Sequence, residues 1–347
     1  MLNEGTIAFR KYPSIEGVHI EEFLGKIKEI CGNEMYCVTE KIHGANTQID
    51  YDLTTGEFTY GKRTDVITED EQCYNFQKIA EKLKDNIIKM SMDLLFSTEL
   101  NIEVVRVYGE LFGGSYPHPD VEKDKKATRV QKGVYYSPHN EWRAFDIAYS
   151  VKGEDRNRFL PAELFFDFAS RYGIPTVPLL CIADSLDMAL RCPNDNKSVV
   201  FQYYALPEIP DNIMEGVVIK PWKHDLWIGQ HRVILKNKND KFKERSKDKR
   251  VNIQEEVPEI VKQAMEEIVE FITENRINNV ISHLGQVTVK DIGKVIGLTS
   301  VDVLSEYRRV YKTLNLMEKK EEKMVTKFMQ GQVAKLVKEV MTGRKDG

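Results

Sequence analysis

The sequence has no cysteine pattern typical of a zinc site and no apolar run long enough to cross a membrane. Its five cysteines include no C-x-x-C pair, which indicates reduced thiols and argues against a structural zinc ion. A membrane-spanning helix needs roughly 20 apolar residues in succession, and residues 1–12 lack the apolar core and cleavage site of a secretory signal. These absences predict no membrane partner and a cytoplasmic or equivalent reducing compartment, with an organellar location left open.

The chain also lacks an overall excess of basic residues. It has 50 Lys and Arg against 54 Asp and Glu, a net charge of −4, so a nucleic-acid partner would need a local basic patch. Residues 236–250 supply one, with eight basic and three acidic side chains. This local net charge of +5 marks a basic linker.

The spacing of apolar residues changes near residue 250. Before it, short alternating runs predict strands, such as one at residues 103–108, with helical stretches between them, such as residues 74–99. After it, apolar residues recur every three to four positions, as in Val257, Ile260, Val261 and Ala264, which predicts helices. Two shorter stripes of this kind lie within residues 289–307. A chain of 347 residues is long enough for two domains. We therefore predict an α+β protein with a mainly strand-built domain at residues 1–248 and an all-helical domain at 249–347; the polar stretch 116–140 is expected to be a mobile insertion.

Polar side chains stand at the margins of the predicted strands. Lys41 follows an apolar run, and Gly44 allows a sharp turn after it. Taken alone, K-x-x-G also fits a surface lysine beside a turn. The other margins carry further charges: Lys62, Arg63, Glu110, Glu215, Lys220, Lys236 and Lys238. If these margins converge on one cleft, the cations suit a polyphosphate, the carboxylates suit a ribose and hydrated Mg²⁺, and Phe145 suits a base stack. The pattern predicts a nucleotide pocket with a lysine nucleophile.

Six short motifs occur in order along the first domain: K-I-H-G-A-N, G-K-R-T, Y-G-E-L-F-G-G, W-R-A-F-D-I, E-G-V-V-I-K-P and V-I-L-K-N-K-N-D-K-F. This order resembles the covalent nucleotidyltransferases, the superfamily of polynucleotide ligases and mRNA capping enzymes. His43 and Asn46 stand where DNA ligases and capping enzymes usually have aspartate and arginine, so the chain is most similar to the RNA ligase 2 family, which includes the RNA-editing ligases. Residues 275–285 and 290–299 resemble that family's helical domain.

The resemblance implies a fold and an activity. The expected fold is an adenylyltransferase domain of antiparallel sheets with flanking helices, followed by a helical nick-recognition domain and no OB-fold. The expected activity is ATP-dependent joining of RNA 3′-hydroxyl and 5′-phosphate ends through lysyl-AMP and RNA-adenylate. The expected substrate is nicked duplex RNA or RNA–DNA hybrid, and the protein is expected to be a monomer.

Two alternatives remain open. A DNA ligase or capping-type nucleotidyltransferase would carry an OB-fold after the last K-x-K motif, where this chain has helical spacing. A nucleic-acid-binding module without catalysis would not need the complete set of motif residues.

The resemblance also implies a role for the catalytic residues. Lys41 would attack the α-phosphorus of ATP and carry AMP covalently, while Lys236 and Lys238 would hold the phosphates. Glu215 would orient a water bound to Mg²⁺ or Mn²⁺. His43 would belong to the metal or phosphate network, and Arg63 would bind the ribose or the 5′-phosphate of the nick.

The remaining site residues are expected to contact the nucleotide. Glu110 would accept hydrogen bonds from the ribose and contact the metal through water, and Phe145 would stack on adenine. The other nucleotide-binding candidates are Tyr12, Ile15, Glu40, Ile42, Asn46, Lys62 and Lys220. In the helical domain, a polar cluster suits phosphate and sugar contacts: Arg276, Asn278, Asn279, Ser282 and His283.

Overall fold

The computed structural model describes residues 8–69, 71, 73–246, 253 and 257–343. The chain forms two compact units, Met1–Asn239 and Asp240–Gly347. The predicted domain boundary at residue 248 lies outside the described residues, as do residues 247–250 of the basic linker. That boundary therefore stays a prediction, while residues 240–246 are grouped with the helical unit.

The first unit is built mainly of strands, with five α-helices around them. The strands are β1 (Glu16–Gly17), β2 (Tyr36–Glu40), β3 (Ala45–Asp52), β4 (Phe58–Lys62), β5 (Ile102–Gly113), β6 (Asn140–Val151), β7 (Arg158–Phe159), β8 (Leu179–Ala183), β9 (Gly216–Pro221), β10 (Trp227–Ile228), β11 (His231–Arg232) and β12 (Leu235–Lys238). The α-helices described in this unit are α1 (Glu21–Cys31), α2 (Phe76–Glu81), α3 (Lys84–Ser97), α4 (Ala162–Arg171) and α5 (Leu186–Leu190).

Two five-stranded sheets organise this unit. The first has the strand order β1-β12-β9-β2-β8, and the second has the order β4-β3-β5-β6-β7. Every strand pair in them is antiparallel except β1 with β12. The predicted antiparallel sheets are therefore confirmed.

Apolar side chains cover one face of each sheet. Helices α2, α3 and α4 pack on the second sheet through residues such as Phe76, Ile87 and Phe165, all fully buried. Helices α1 and α5 pack on the first sheet through Ile27 and Leu186. This packing holds β2, β9 and β12 in register, and their ends carry the candidate site.

The second unit is helical in its described part. Its helices are α6 (Glu259–Val269), α7 (Glu274–Leu284), α8 (Ile292–Val310) and α9 (Lys319–Thr342). Their inward stripes meet in one core that includes Ile268, Phe271, Tyr307 and Val333. Because the described residues after Asn239 form no strands, the prediction of helices in place of an OB-fold is confirmed for that part of the chain.

Three predicted elements differ from the structure. The stretch 74–99, expected to be helical throughout, is divided between α2 and α3. The strand expected at 103–108 continues to Gly113, so Glu110 lies inside β5 rather than at its end. The two stripes at 289–307 belong largely to one helix, α8, and Val289 lies before it with 64% of its surface exposed.

Candidate active site

Lys41 and Glu215 face each other across two neighbouring strands. Lys41 follows the last residue of β2, and Glu215 precedes the first residue of β9, which pairs antiparallel with β2. The Lys41 backbone N–H donates to the carbonyl of Gly216 at 2.9 Å. This backbone bond brings the Lys41 Nζ to 2.7 Å from Oε2 of Glu215.

Basic side chains contact both carboxylate oxygens of Glu215. The Nζ of Lys238, on β12, lies 2.9 Å from Oε1, and the Nδ1 of His43 lies 3.4 Å from Oε2. Only 2% of Glu215 is exposed. Burial alone would raise the pKa of Glu215, but Lys238, Lys41 and His43 hold it well below its usual range. The carboxylate is therefore anionic and orients two lysines at once.

The turn after Lys41 is held by a segment that the sequence analysis expected to be mobile. The backbone N–H of His43 donates to the hydroxyl of Tyr136 at 2.8 Å, and Tyr136 is 1% exposed. Its ring packs edge-on against Phe112. Residues 116–140 thus pack against the lysine turn, and Tyr136 is a site residue that the sequence analysis missed.

Gly44 is required by a close approach to β5. A Cβ at this position would lie 2.1 Å from the carbonyl oxygen of Leu111 and 2.9 Å from Cγ of Glu110. The N–H of Gly44 is a hydrogen-bond donor to the Glu110 carboxylate. The backbone therefore occupies the space that a side chain would need.

Glu110 and Asn46 lie opposite each other on β5 and β3. Burial raises the pKa of Glu110 to about 7, and the nearby Lys41 opposes that rise. Glu110 is half-buried and lies on the same side of the site as Lys41. This position is compatible with the expected hydroxyl contact, although Glu110 is not at a strand end.

An aromatic and ionic cluster occupies the other end of the site. The rings of Tyr12 and Phe145 meet edge to face at 4.9 Å. The Tyr12 hydroxyl donates to Oδ2 of Asp146 at 2.7 Å, and Arg232 donates to the same oxygen at 2.6 Å. Asp146 is fully buried, and although burial would raise its pKa, Arg232 and Lys220 hold it below its usual value. Asp146 and Arg232 were not predicted as site residues.

Lys220 belongs to this second cluster rather than to the group around Lys41. Its Nζ donates to the carbonyl of Phe145 at 2.7 Å and lies 3.4 Å from Asp146. Ile15 packs against the same apolar cluster as Phe145. Phe145 is half-buried, so one part of its ring is packed and another is accessible.

The other predicted residues have mainly structural contacts. Oε2 of Glu40 accepts from the backbone N–H of Val199 at 2.9 Å, and Glu40 is 1% exposed. Lys62 forms an ion pair with Glu71. Arg63 donates to the carbonyl of Tyr12 at 2.7 Å.

Two further predicted residues lie in the turn between β2 and β3 and on β12. Ile42 is 3% exposed. Lys236 lies on β12 opposite Val218, two residues before Lys238, and is half-buried. The roles assigned to all these residues stay predictions.

The described part of the chain contains no dense cluster of metal-ligating side chains. No group of three or more His, Cys, Asp and Glu side chains there could hold a metal. Both oxygens of Glu215 already face lysines. A hydrated cation bound with the nucleotide could contact Glu215 or Glu110 through its water molecules.

In the polar cluster predicted in the helical unit, Arg276 and Ser282 are buried and the other three residues are half-buried, so the prediction of phosphate contacts is wrong for Arg276. Arg276 is 3% exposed, donates to the carbonyl of Phe271 at 2.9 Å and pairs with Asp302 and Glu244. Ser282, 2% exposed, donates to the carbonyl of Asn279 at 2.8 Å. Because α7 packs with this side inward, these two side chains stabilise the unit.

These features define a nucleotidyltransferase-like site: a lysine beside a buried carboxylate, with further cations and an aromatic pair nearby. Residues 34–238 match the family model described as RNA ligase. Residues 254–335 match the model described as T4 RNA ligase 2 C-terminal. The chain belongs to the RNA ligase family, and the resemblance inferred from its motifs is confirmed.

Curated relatives include two mitochondrial RNA-editing ligases of Trypanosoma brucei brucei. RNA-editing ligase 2 is 31% identical over 162 residues, covering 42% of this chain and 38% of that protein. RNA-editing ligase 1 is 27% identical over 205 residues, covering 52% and 43%. The matched region thus spans less than half the length of either relative.

Solved structures similar to this chain include mutants of a Naegleria gruberi RNA ligase. One, with ATP and Mn, has a TM-score of 0.45 at 14% identity and covers 67% of this chain and 57% of that one. Another, with AMP and Mn, has a TM-score of 0.44 at 14% identity. In the described part of the chain, no helix combines the length and the apolar character needed to span a bilayer.

Proposed function

We propose that the protein is an ATP-dependent RNA ligase that joins a 3′-hydroxyl to a 5′-phosphate at a nick. The observation that carries this proposal is the shared carboxylate of Glu215, which holds Lys41 at 2.7 Å and Lys238 at 2.9 Å. A nucleophilic lysine and a phosphate-binding lysine are thereby fixed at neighbouring points of one site. Membership of the RNA ligase family supports the same reading.

In the first step, Lys41 attacks the α-phosphorus of ATP and pyrophosphate leaves. An amine attacks phosphorus through its lone pair, so the contact between Lys41 and Glu215 must open before the attack. Lys236 and Lys238 bind the phosphates of ATP and bring the α-phosphorus to Lys41. As the P–N bond forms, the bond to the pyrophosphate oxygen breaks, and the Lys41 nitrogen gives up its proton to water.

In the next two steps, AMP passes from Lys41 to the RNA 5′-phosphate, and the 3′-hydroxyl then displaces AMP. Arg63 and Asn46 are proposed to bind the ribose or the 5′-phosphate. Phe145 and Tyr12 provide the aromatic surface for adenine, and Glu110 accepts from a ribose hydroxyl. Each of these groups binds or orients a reactant, and Lys41 alone forms a covalent bond.

A divalent cation, Mg²⁺ or Mn²⁺, would enter with the triphosphate. It would lower the charge on the phosphates during attack. Glu215 and Glu110 would contact its water molecules, in agreement with the scarcity of grouped ligands in the described part of the chain.

The proposed substrate is nicked duplex RNA or an RNA–DNA hybrid, bound by a monomer in a reducing compartment. The test is sealing of three matched nicks: all-RNA, RNA–DNA hybrid and all-DNA, each with ATP and Mg²⁺. The proposal expects fast sealing of the first two. Preferential sealing of the all-DNA nick would favour a DNA ligase. A covalent adduct formed with GTP in place of ATP would favour a capping enzyme. If neither nucleotide gave an adduct, the protein would be a nucleic-acid-binding module without catalysis.

A further inference from the structure

Two of the five cysteines lie close enough to react with each other. The Sγ atoms of Cys181 and Cys192 are 2.8 Å apart. A disulfide bond has an S–S length of about 2.05 Å, so the two sulfurs need to approach by less than about 1 Å to form one. Both residues are half-buried, whereas Cys31, Cys37 and Cys73 are buried.

The local fold holds this pair together. Cys181 lies on β8, at the edge of the first sheet, with Val38 of β2 as its partner. Helix α5 then turns the chain back, with the Ser185 side chain accepting from the N–H of Met188 at its start. Leu186 and Ala189 are buried against the core of the sheet, which fixes the helix and places Cys192 beside Cys181.

The segment that follows Cys192 contacts the candidate active site. The side-chain amide of Asn194 donates to the carbonyl of Lys238 at 3.1 Å. The N–H of Val199 donates to Glu40, the residue before Lys41. A disulfide bond between Cys181 and Cys192 would therefore link the edge strand β8 to the segment that contacts Lys238 and Glu40.

We infer that Cys181 and Cys192 are a modification site that a hydroperoxide converts to an intramolecular disulfide. One thiol transfers two electrons to the peroxide O–O bond, which breaks to give a sulfenic acid and, from hydrogen peroxide, water. The other sulfur attacks the sulfenic sulfur, the S–S bond forms, and the sulfenic oxygen leaves as a second water. A dithiol reductant reverses the change by thiol–disulfide exchange.

The partial exposure of the two cysteines and the short distance between their sulfur atoms favour a disulfide at this pair. The acidity of the thiols sets the rate of oxidation. Burial and the neighbouring Cys181 raise the pKa of Cys192 to about 12. Because the thiolate is the reactive form, oxidation is expected to be slow at neutral pH and faster at pH 9. The buried Cys31, Cys37 and Cys73 have no such partner contact among the cysteine pairs described.

Tryptic mapping of the full-length protein tests the inference directly. The folded protein is treated with hydrogen peroxide, its remaining thiols are alkylated under denaturing conditions, and it is digested with trypsin. Cleavage at Arg171, Arg191 and Lys197 places the two cysteines on separate peptides, 172–191 and 192–197. The expected product is these peptides joined, two hydrogen atoms lighter than their sum, and lost after reduction.

Matched variants separate this pair from general oxidation. Cys73→Ser should give the joined peptides as the parent does, since Cys73 is buried elsewhere in the fold. Cys192→Ser should abolish them and leave residues 172–191 alkylated or sulfenylated. Recovery of Cys181 and Cys192 on separate alkylated or over-oxidised peptides of the parent protein, or joined to other cysteines, would overturn the inference.

Discussion

The ε-amino group of Lys41 and the carboxylate of Glu215 are 2.7 Å apart, although 173 residues separate them in the chain. The antiparallel pairing of β2 with β9 makes this contact, because Lys41 ends one strand where Glu215 begins the other. Lys238 reaches the second oxygen of the same carboxylate from β12. The site therefore depends on the register of three adjacent strands.

Lys238→Ala is expected to lower self-adenylylation by at least tenfold. The change removes a charge-assisted contact to the phosphates and one of the three basic groups that keep the pKa of Glu215 low. Loss of one partner from a buried polar group costs about 1–3 kcal/mol of folding stability, so the protein should still fold. The measurements are label transfer from ATP and the unfolding free energy in urea; Lys236→Ala should behave alike.

Lys26→Ala is the matched control for these lysine variants. Lys26 is exposed and pairs only along α1, with Glu22 at 2.9 Å, and such pairs contribute little. Lys84 is less suitable, because it lies 5.3 Å from the ring of Phe58 and pairs with Glu81. Equal adenylylation by Lys26→Ala and Lys238→Ala would contradict the site described here.

Gly44→Ala is expected to reduce adenylylation strongly while the protein remains folded. The new Cβ would clash with the carbonyl of Leu111 at 2.1 Å, so the turn that carries Lys41 must move. Gly25→Ala is the control, since a Cβ there meets nothing within 4 Å, and alanine in a helix should add about 0.5–1 kcal/mol of stability. Parent-like activity in Gly44→Ala would show that the turn tolerates this movement.

Glu40→Gln is expected to gain stability over the parent as the pH rises. Burial raises the pKa of Glu40 to about 7, whereas an unfolded glutamate has a pKa of about 4.3. Below about pH 4.3 the carboxyl group is protonated in both states; between there and pH 7 the unfolded state loses its proton first. Ionisation therefore destabilises the folded parent by up to about 4 kcal/mol once the pH is above 7.

The measurement is the difference in unfolding free energy between Glu40→Gln and the parent, at pH 5 and at pH 8. The amide can still accept from Val199, so the comparison isolates the charge. The difference should shift in favour of the variant by as much as about 3 kcal/mol. An unchanged difference would contradict a raised pKa for Glu40.

A chain that ends at Asn239 is expected to react with ATP but to lose the sealing of nicks. This unit holds Lys41, Glu215 and Lys238 and is compact by itself. Ending at residue 250 would be less suitable, because Arg245 and Ser246 bond to Glu270 of the helical unit. Circular dichroism and the adduct assay are the measurements, and rapid sealing by the folded truncation would show that the helical unit is not needed to recognise the nick.

The sequence predicted the parts of the site that depend on strand margins. Motif order and alternation located Lys41, Glu215 and Lys238, and the structure places the three together. The alternation of apolar residues alone could not locate the end of β5. Glu110 was therefore expected at a strand end, whereas β5 continues three residues further, to Gly113.

Residues with distant partners were harder to predict. Tyr136 acts through a hydrogen bond to His43, 93 positions away, and lies in a stretch whose polarity favoured a loop. Arg276 lies on a helix with many polar residues, and only the packing of α7 shows that it is internal. The contact of Cys181 with Cys192 depends on how α5 folds back, which cysteine spacing does not reveal.

The central claim is that Lys41 is the nucleophile, and the most direct test is to locate the adduct. The full-length protein is incubated with labelled ATP and Mg²⁺, and the labelled peptide is sequenced by mass spectrometry. We expect AMP on Lys41, no label in Lys41→Ala, and sealing by that variant of a nick whose 5′ end is already adenylylated. AMP on another residue, or a persistent acid-labile label on Lys41→Ala, would contradict it.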